Sequence, residues 1–98
     1  MEKFVYFSRL FDCYRNLLSE NEKKTFSAYY EENLSMQEIA EIRKISKSAI
    51  GSTIKNTELK LVNYENALHL QAKQERMRKI LKHITDEKIR QELEKIMK

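Results

Sequence analysis

The 98-residue chain has no proline and no tryptophan, one glycine, Gly51, and one cysteine, Cys13. Sheet-rich folds need turn residues at regular intervals, so this scarcity counts against a β fold. Cys13 has no partner for an internal disulfide and lies in an apolar run, which predicts a core thiol. There is no signal-peptide pattern and no run long enough to cross a bilayer, so we expect a cytoplasmic protein without a membrane span.

Sequence signatures of catalysis and metal binding are also missing. His69 and His83 have no cysteine or carboxylate at metal-ligand spacing. No nucleophile with its base, glycine-rich phosphate loop or pair of catalytic carboxylates can be recognised. We therefore expect a protein that is not an enzyme and that holds no metal or cofactor. The tyrosines at 6, 14, 29 and 30 have core-helix spacing, which predicts packing residues with hydroxyls at the surface.

What the chain does contain is charge and helix-forming residues. Charged side chains make up 35% of the sequence, with 19 basic and 15 acidic residues and a net charge of +4. This composition predicts an all-α fold with solvated outer faces, a small helical bundle forming a single domain over residues 1–98. The mild positive excess permits contact with nucleic acid or anionic surfaces without requiring it.

Capping signals divide the first half of the chain into helices. Apolar residues at helical spacing predict a first helix over residues 4–18. Ser19 with Glu22 and Ser35 with Glu38 form two capping boxes, which predict helices over residues 20–31 and 36–43. Asn33 fits the end of the second helix because asparagine tolerates the left-handed conformation.

The sequence of the second half of the chain predicts one long helix and one short helix. No clear stop signal follows residue 47 until Thr85, so a helix is predicted over about 47–83, with a possible break near Asn63 or Asn66. Its apolar residues cover more than one side, which is consistent with a homodimer. Thr85 is the expected cap of a C-terminal helix over about 86–97. The expected inner face of this helix carries Ile89, Leu93, Ile96 and Met97.

Residues 35–56 have the pattern of a helix-turn-helix. Ala40 is small enough for close approach of two helices, and Ser46 is a candidate cap for the second helix. The residues expected to face inward are Ile39, Ile45, Ile50 and Ile54.

The second helix of this pair would present a polar outward face. The residues expected on that face are Lys47, Ser48, Gly51, Ser52 and Lys55, with Lys44 in the preceding turn. Lysines can contact phosphates or guanine edges, and serines can bond to bases or phosphate oxygens. An architectural helix pair is the alternative, because residues 34–60 have a net charge of only +2 and this face lacks Arg, Asn and Gln in its first two turns.

A second basic cluster spans residues 73–83, where five Lys or Arg residues accompany one acid, Glu75. Lys73, Arg76 and Lys79 are candidates for contact with RNA phosphates or with an acidic partner protein. The alternative is a solvated helix face, which is the commoner role of such runs. In that case Met77, Ile80, Leu81 and Ile84 would point into the core.

The order of motifs resembles the YlxM family of small helix-turn-helix proteins along nearly the whole chain. The matching tracts are Leu17-Leu18, Tyr29-Tyr30, the S-x-x-E-I-A segment 35–40, and I-K-x-T-E-x-x-L-x-x-Y-E over residues 54–65. The family usually has Leu-Gly where this chain has Arg43-Lys44, and Arg-Gln where it has Lys47-Ser48.

This resemblance implies a helix-turn-helix like that of sigma-factor region four. It also implies a nucleic-acid-binding regulatory or accessory role, on DNA or RNA, linked to the signal recognition particle pathway. The alternative is a protein-interaction module that binds a targeting GTPase or its RNA complex, with the helix-turn-helix as scaffold.

Overall fold

The structure, a computed structural model, describes residues 2–97. Within them there are six α-helices, a 3-10 turn at Arg15–Leu17 and no strand, which confirms the all-α fold. The helices are α1 (Lys3–Tyr14), α2 (Glu20–Tyr30), α3 (Met36–Arg43), α4 (Lys47–Leu68), α5 (Leu70–Leu81) and α6 (Glu87–Met97). The chain divides into an N-terminal unit, Met1–Leu68, and a C-terminal unit, His69–Lys98.

Both predicted capping boxes are present. The Ser19 hydroxyl accepts from the Glu22 backbone N–H at 3.2 Å, and the Glu22 carboxylate accepts from the Ser19 N–H at 2.9 Å. Ser35 and Glu38 make the same exchange, with both distances at 3.0 Å. Asn33 adopts the expected left-handed conformation, with φ at 62°. The starts of α2 and α3 therefore follow directly from local sequence.

Helix α4 is the centre of the N-terminal unit. One stripe of it is buried and packs against α1, α2 and α3. The residues of this stripe are Ile50, Ile54, Thr57, Leu61 and Glu65. Aromatic residues from α1 and α2 supply the largest buried side chains around it, Phe11, Tyr14 and Phe26. Since α4 touches three other helices, its rotation about its own axis is fixed by this packing.

Buried polar contacts join α4 to α1 and α2. The Tyr14 hydroxyl donates to Glu65 Oε1 at 2.7 Å, and the Tyr30 hydroxyl donates to Glu58. The prediction that the tyrosine hydroxyls lie at the surface is therefore wrong for Tyr14, whose hydrogen bond is buried. Tyr14 is only 1% exposed, and the carboxylate that accepts its hydrogen bond lies 51 residues away in the chain, where no local pattern could reveal it.

Glu22 connects the α2 capping box to α4. Its carboxylate lies 2.8 Å from the Lys60 ammonium. Burial raises the pKa of Glu22, but hydrogen bonds from Lys60 and Ser19 together outweigh burial and hold it below the usual value. The carboxylate thus remains charged, and the start of α2 is tied to the middle of α4.

The helix predicted over residues 47–83 is interrupted. Helix α4 ends at Leu68, His69 adopts a left-handed conformation with φ at 56° and ψ at 30°, and α5 begins at Leu70. A residue in the left-handed conformation ends a helix because the next backbone N–H no longer points along the helical hydrogen-bond pattern. Asn63 and Asn66, where a break was considered, lie inside α4.

The C-terminal unit also differs from the prediction. The cap of α6 is Asp86 instead of Thr85, since Asp86 Oδ1 accepts from the backbone N–H groups of Lys88 and Ile89 at 3.0 and 3.2 Å. The predicted inner face of α6 is wrong at Ile89 and Ile96, which are 50% and 79% exposed. Amphipathic spacing gives a helix an apolar side but does not say whether a neighbour covers it.

The Tyr14–Glu65 contact gives a direct test of the packing around α4. We expect Tyr14→Phe to lower the free energy of unfolding by about 1–3 kcal/mol, because it removes a hydrogen-bond donor from a buried carboxylate. The measurement is urea unfolding followed by circular dichroism. Tyr29→Phe is the matched control, since no hydrogen bond from the Tyr29 hydroxyl exists within residues 2–97. Equal stability of the two variants would contradict the assigned role of Tyr14.

Candidate nucleic-acid interface

The turn between α3 and α4 is set by one left-handed residue. Lys44 has φ at 57° and ψ at 42°, and the Ile45 N–H donates to the Ala40 carbonyl at 3.1 Å, which closes the end of α3. The Ser46 hydroxyl then accepts from the Ala49 N–H at 3.0 Å. Ser46 therefore caps α4 as predicted, and the first turn of α4 contains no acidic residue.

Arg43 anchors this turn to α2. Its guanidinium donates to the Asn21 side-chain oxygen at 2.7 Å and to the hydroxyl of Thr25, which is fully buried. Sequence reasoning missed this role, because the partners of Arg43 lie 18 and 22 residues earlier in the chain. The contact fixes the end of α3, and with it the start of α4.

Most of the residues predicted to face inward do so. Ile39, Ile50 and Ile54 are 1%, 0% and 3% exposed, and Ala40 is buried between the two helices. The prediction is wrong for Ile45, which is 45% exposed. Ile45 lies in the connection after Lys44, outside both helices, so helical spacing does not govern its direction.

The predicted contact residues of α4 lie at its solvent-exposed surface. Lys47, Ser48, Ser52 and Lys55, here called the α4 face, are all exposed. Helical geometry of about 100° per residue places Ser52 opposite the buried stripe. Lys44 is exposed in the turn beside it. Gly51 departs from the prediction: it is half-buried, and a Cβ there would lie 3.7 Å from the Met36 sulfur.

Charge pairing separates these lysines from three others in the N-terminal unit. Lys3, Lys23 and Lys60 each lie within 4 Å of a carboxylate. Over residues 2–97, by contrast, no ion pair involves Lys44, Lys47 or Lys55. These lysines therefore present ammonium groups whose charge no neighbouring acid neutralises. Lys44 and Lys47 do so beside the N-terminus of α4, where the helix dipole favours anions.

The second basic cluster lies on α5 in the C-terminal unit. Lys73, Arg76 and Lys79 are exposed and form no ion pair within the described part of the chain, whereas Arg78 lies 3.5 Å from Glu75. The apolar side of α5 is only partly covered. Leu81 is buried and Met77 half-buried, but Ile80 is 58% exposed, so the prediction that it points into the core is wrong.

No group of three or more His, Cys, Asp or Glu side chains within residues 2–97 could hold a metal ion. No helix in that range is both long enough and apolar enough to span a membrane.

Comparison with known proteins agrees with the helix-turn-helix geometry. Residues 1–98 match the model of a family described as "Putative helix-turn-helix protein, YlxM / p13 like". The chain belongs to this family. The family resemblance read from the sequence is thereby confirmed, and a helix-turn-helix is a binding architecture, not a catalytic one.

Individual relatives support the same assignment. A UPF0122 protein of Clostridium botulinum is 38% identical over 87 residues, which cover 89% of this chain and 80% of the relative. One from Clostridium acetobutylicum is 41% identical over 86 residues, covering 88% and 74%. A third, from Oceanobacillus iheyensis, is 33% identical over 100 residues, covering 98% and 95%. The similarity thus extends through both units of this YlxM-like protein.

The left-handed Lys44 generates a stability prediction for the turn. We expect Lys44→Gly to raise the free energy of unfolding by about 0.5–1 kcal/mol, because glycine adopts this conformation without the steric cost of a Cβ atom. Lys44→Ala removes the same charge but keeps the Cβ, so it serves as the control and should not stabilise. Thermal and urea unfolding of the three proteins measure the effect. Stabilisation by alanine equal to that by glycine would mean that charge, not backbone conformation, is responsible.

Proposed function

We propose that this protein is a nucleic-acid-binding accessory or regulatory factor that acts in the cytoplasm and docks through the α4 face. The observation that carries the proposal is the set of exposed lysines, Lys44, Lys47 and Lys55, that lack acidic partners within residues 2–97. Unpaired ammonium groups beside a capped helix N-terminus are suited to phosphate oxygens. The family description as a helix-turn-helix protein supports the same use.

In this mechanism the lysines supply affinity and the serines supply base contacts. Lys47 and Lys55 lie about two turns apart along α4, so both can reach phosphates while Ser48 and Ser52 face base edges. Serine hydroxyls can donate and accept, so they tolerate several bases. We therefore infer that binding depends mainly on the phosphate backbone and discriminates weakly among duplex sequences.

The basic residues of α5 provide additional phosphate contacts in this proposal. Lys73, Arg76 and Lys79 share the two properties of the α4 lysines: exposure, and no ion pair within residues 2–97. We also propose that the nucleic acid belongs to the signal recognition particle pathway, an assignment that rests on the family resemblance. The particle's RNA is accordingly the first structured ligand to compare with duplex DNA.

A second candidate function is a protein-interaction module that binds a targeting GTPase or another copy of this chain. The observation that favours it is the exposure of Ile80, Ile89 and Ile96 in the C-terminal unit, at 58%, 50% and 79%. Exposed apolar side chains mark a protein-binding surface where they form a contiguous patch. Sedimentation velocity of the protein, alone and with the GTPase, tests this alternative independently of nucleic acid.

The α4 face makes a quantitative prediction about salt. The slope of log K against log salt concentration should fall in magnitude by about 1 for Lys47→Ala and again for Lys55→Ala, because each removes one phosphate contact. Fluorescence anisotropy with random duplex DNA and with the particle's RNA measures these slopes. Lys24→Ala is the control, since Lys24 is an exposed α2 lysine without an ion pair within residues 2–97. Unchanged slopes for both α4 variants would rule out the proposed docking.

A further inference from the structure

A cleft in the N-terminal unit borders the α4 face. It has a volume of about 360 Å³, and its walls come from α1, α2, α3 and α4. Six residues supply its polar and aromatic lining: Lys3, Phe4, Tyr29, Tyr30, Lys55 and Glu58. Lys55 belongs to both the cleft and the α4 face. A nucleic-acid strand bound at the α4 face can therefore also reach the cleft.

The aromatic side chains of this cleft are not completely buried. Phe4 is 40% exposed and Tyr29 half-buried, while Tyr30 beneath them is 7% exposed. The Phe4 ring centroid lies 4.4 Å from that of Tyr30 and 5.8 Å from that of Tyr29. A ring that is held by two others yet open to solvent is a suitable stacking surface for a planar ligand.

Glu58 gives the cleft a fixed hydrogen-bond acceptor. Its Oε2 accepts from the Tyr30 hydroxyl and lies 3.9 Å from the Lys3 ammonium. Burial and the neighbouring carboxylate raise the pKa of Tyr30, so the hydroxyl remains a donor and holds Glu58 in place. Glu58 Oε1 has no hydrogen-bond partner within residues 2–97, and it can accept from a ligand amino group.

Gly51 forms part of the wall and is the chain's one glycine. In a helix interior glycine costs about 1 kcal/mol relative to alanine. Packing does not require it, since an added Cβ would make only an ordinary contact with Met36 at 3.7 Å, and no positive φ occurs at this position. The missing side chain instead keeps the cleft open beside α4.

We propose that this cleft binds one unpaired nucleobase of a single-stranded nucleic acid, stacked on Phe4, with its exocyclic amino group donating to Glu58. Lys3 and Lys55 flank the base and contact the adjoining phosphates. Cytosine presents an amino donor where uracil and thymine present a carbonyl oxygen, which a carboxylate repels. The inference extends the proposed function, because it assumes that the α4 face binds nucleic acid, and it adds selection among unpaired bases.

The test measures binding of fluorescein-labelled single strands to the full chain by anisotropy. Wild-type protein should bind oligocytidylate about tenfold more tightly than oligouridylate, as expected for one hydrogen bond to a charged group. The same comparison with DNA strands, oligo-dC against oligo-dT, shows whether the ligand is RNA or single-stranded DNA. A preference for cytosine in both RNA and DNA strands would mean that the protein recognises the base alone. A preference for cytosine only in RNA strands would mean that the ligand is RNA.

Two variants test the individual contacts. Phe4→Leu keeps an apolar side chain but removes the ring, so single-strand affinity should fall by roughly 5- to 100-fold while duplex affinity is unchanged. Glu58→Gln retains an acceptor for Tyr30 but adds a donor, which should abolish the preference for cytosine over uracil. Leu17→Ala, at a 54% exposed apolar residue outside the cleft, is the control.

The outcomes separate this inference from the proposed function. Equal wild-type affinity for cytosine and uracil strands, or wild-type affinity in Phe4→Leu, overturns the cleft proposal. If duplex DNA still binds through Lys47 and Lys55 in that case, the function of the α4 face stands. If neither duplex nor single strand binds, both proposals are wrong.

Discussion

The N-terminal unit depends on the burial of one stripe of α4 against three other helices. That stripe includes Thr57 and Glu65 as well as Ile50, Ile54 and Leu61, so it must satisfy polar groups as well as exclude water. Thr57 donates to the Thr53 carbonyl at 2.7 Å, and Glu65 accepts from Tyr14. A rotation of α4 would expose the apolar residues and break the hydrogen bond between Tyr14 and Glu65, whereas the Thr57 bond lies within α4 and would turn with it. The packing therefore specifies a single orientation of the helix.

A fixed orientation of α4 determines which side chains remain outside. The α4-face residues Lys47, Ser48, Ser52 and Lys55 remain exposed, and their side chains form no hydrogen bond or ion pair in the described part of the chain. Other basic residues are used inside the unit: Arg43 holds the turn to α2, and Lys60 pairs with Glu22. Some basic residues thus stabilise the fold, and others remain exposed without an acidic partner. The proposed function depends on the second group.

Local sequence predicted those features that depend on local interactions. Both capping boxes, the Asn33 stop, the Ser46 cap and the inward isoleucines of α3 and α4 were recoverable because their partners lie within a few residues. The predictions failed where distant packing decides. Nothing near His69 marks a helix break, the hydroxyl of Tyr14 meets a carboxylate 51 residues away, and Ile96 remains exposed despite ideal spacing. The candidate lysines were recognised by type, but their lack of acidic partners became visible only in three dimensions.

The proposed function requires that nucleic acid contact the α4 face. An amide-resolved NMR titration of the full chain with random duplex DNA tests it most directly, because it locates binding without any substitution. We expect the largest shift changes in the N-terminal unit at backbone amides of residues 44–56, with the amides of α1 and α2 nearly unchanged. Changes confined to α1 and α2, or spectra unaffected by saturating DNA at low salt, would contradict it.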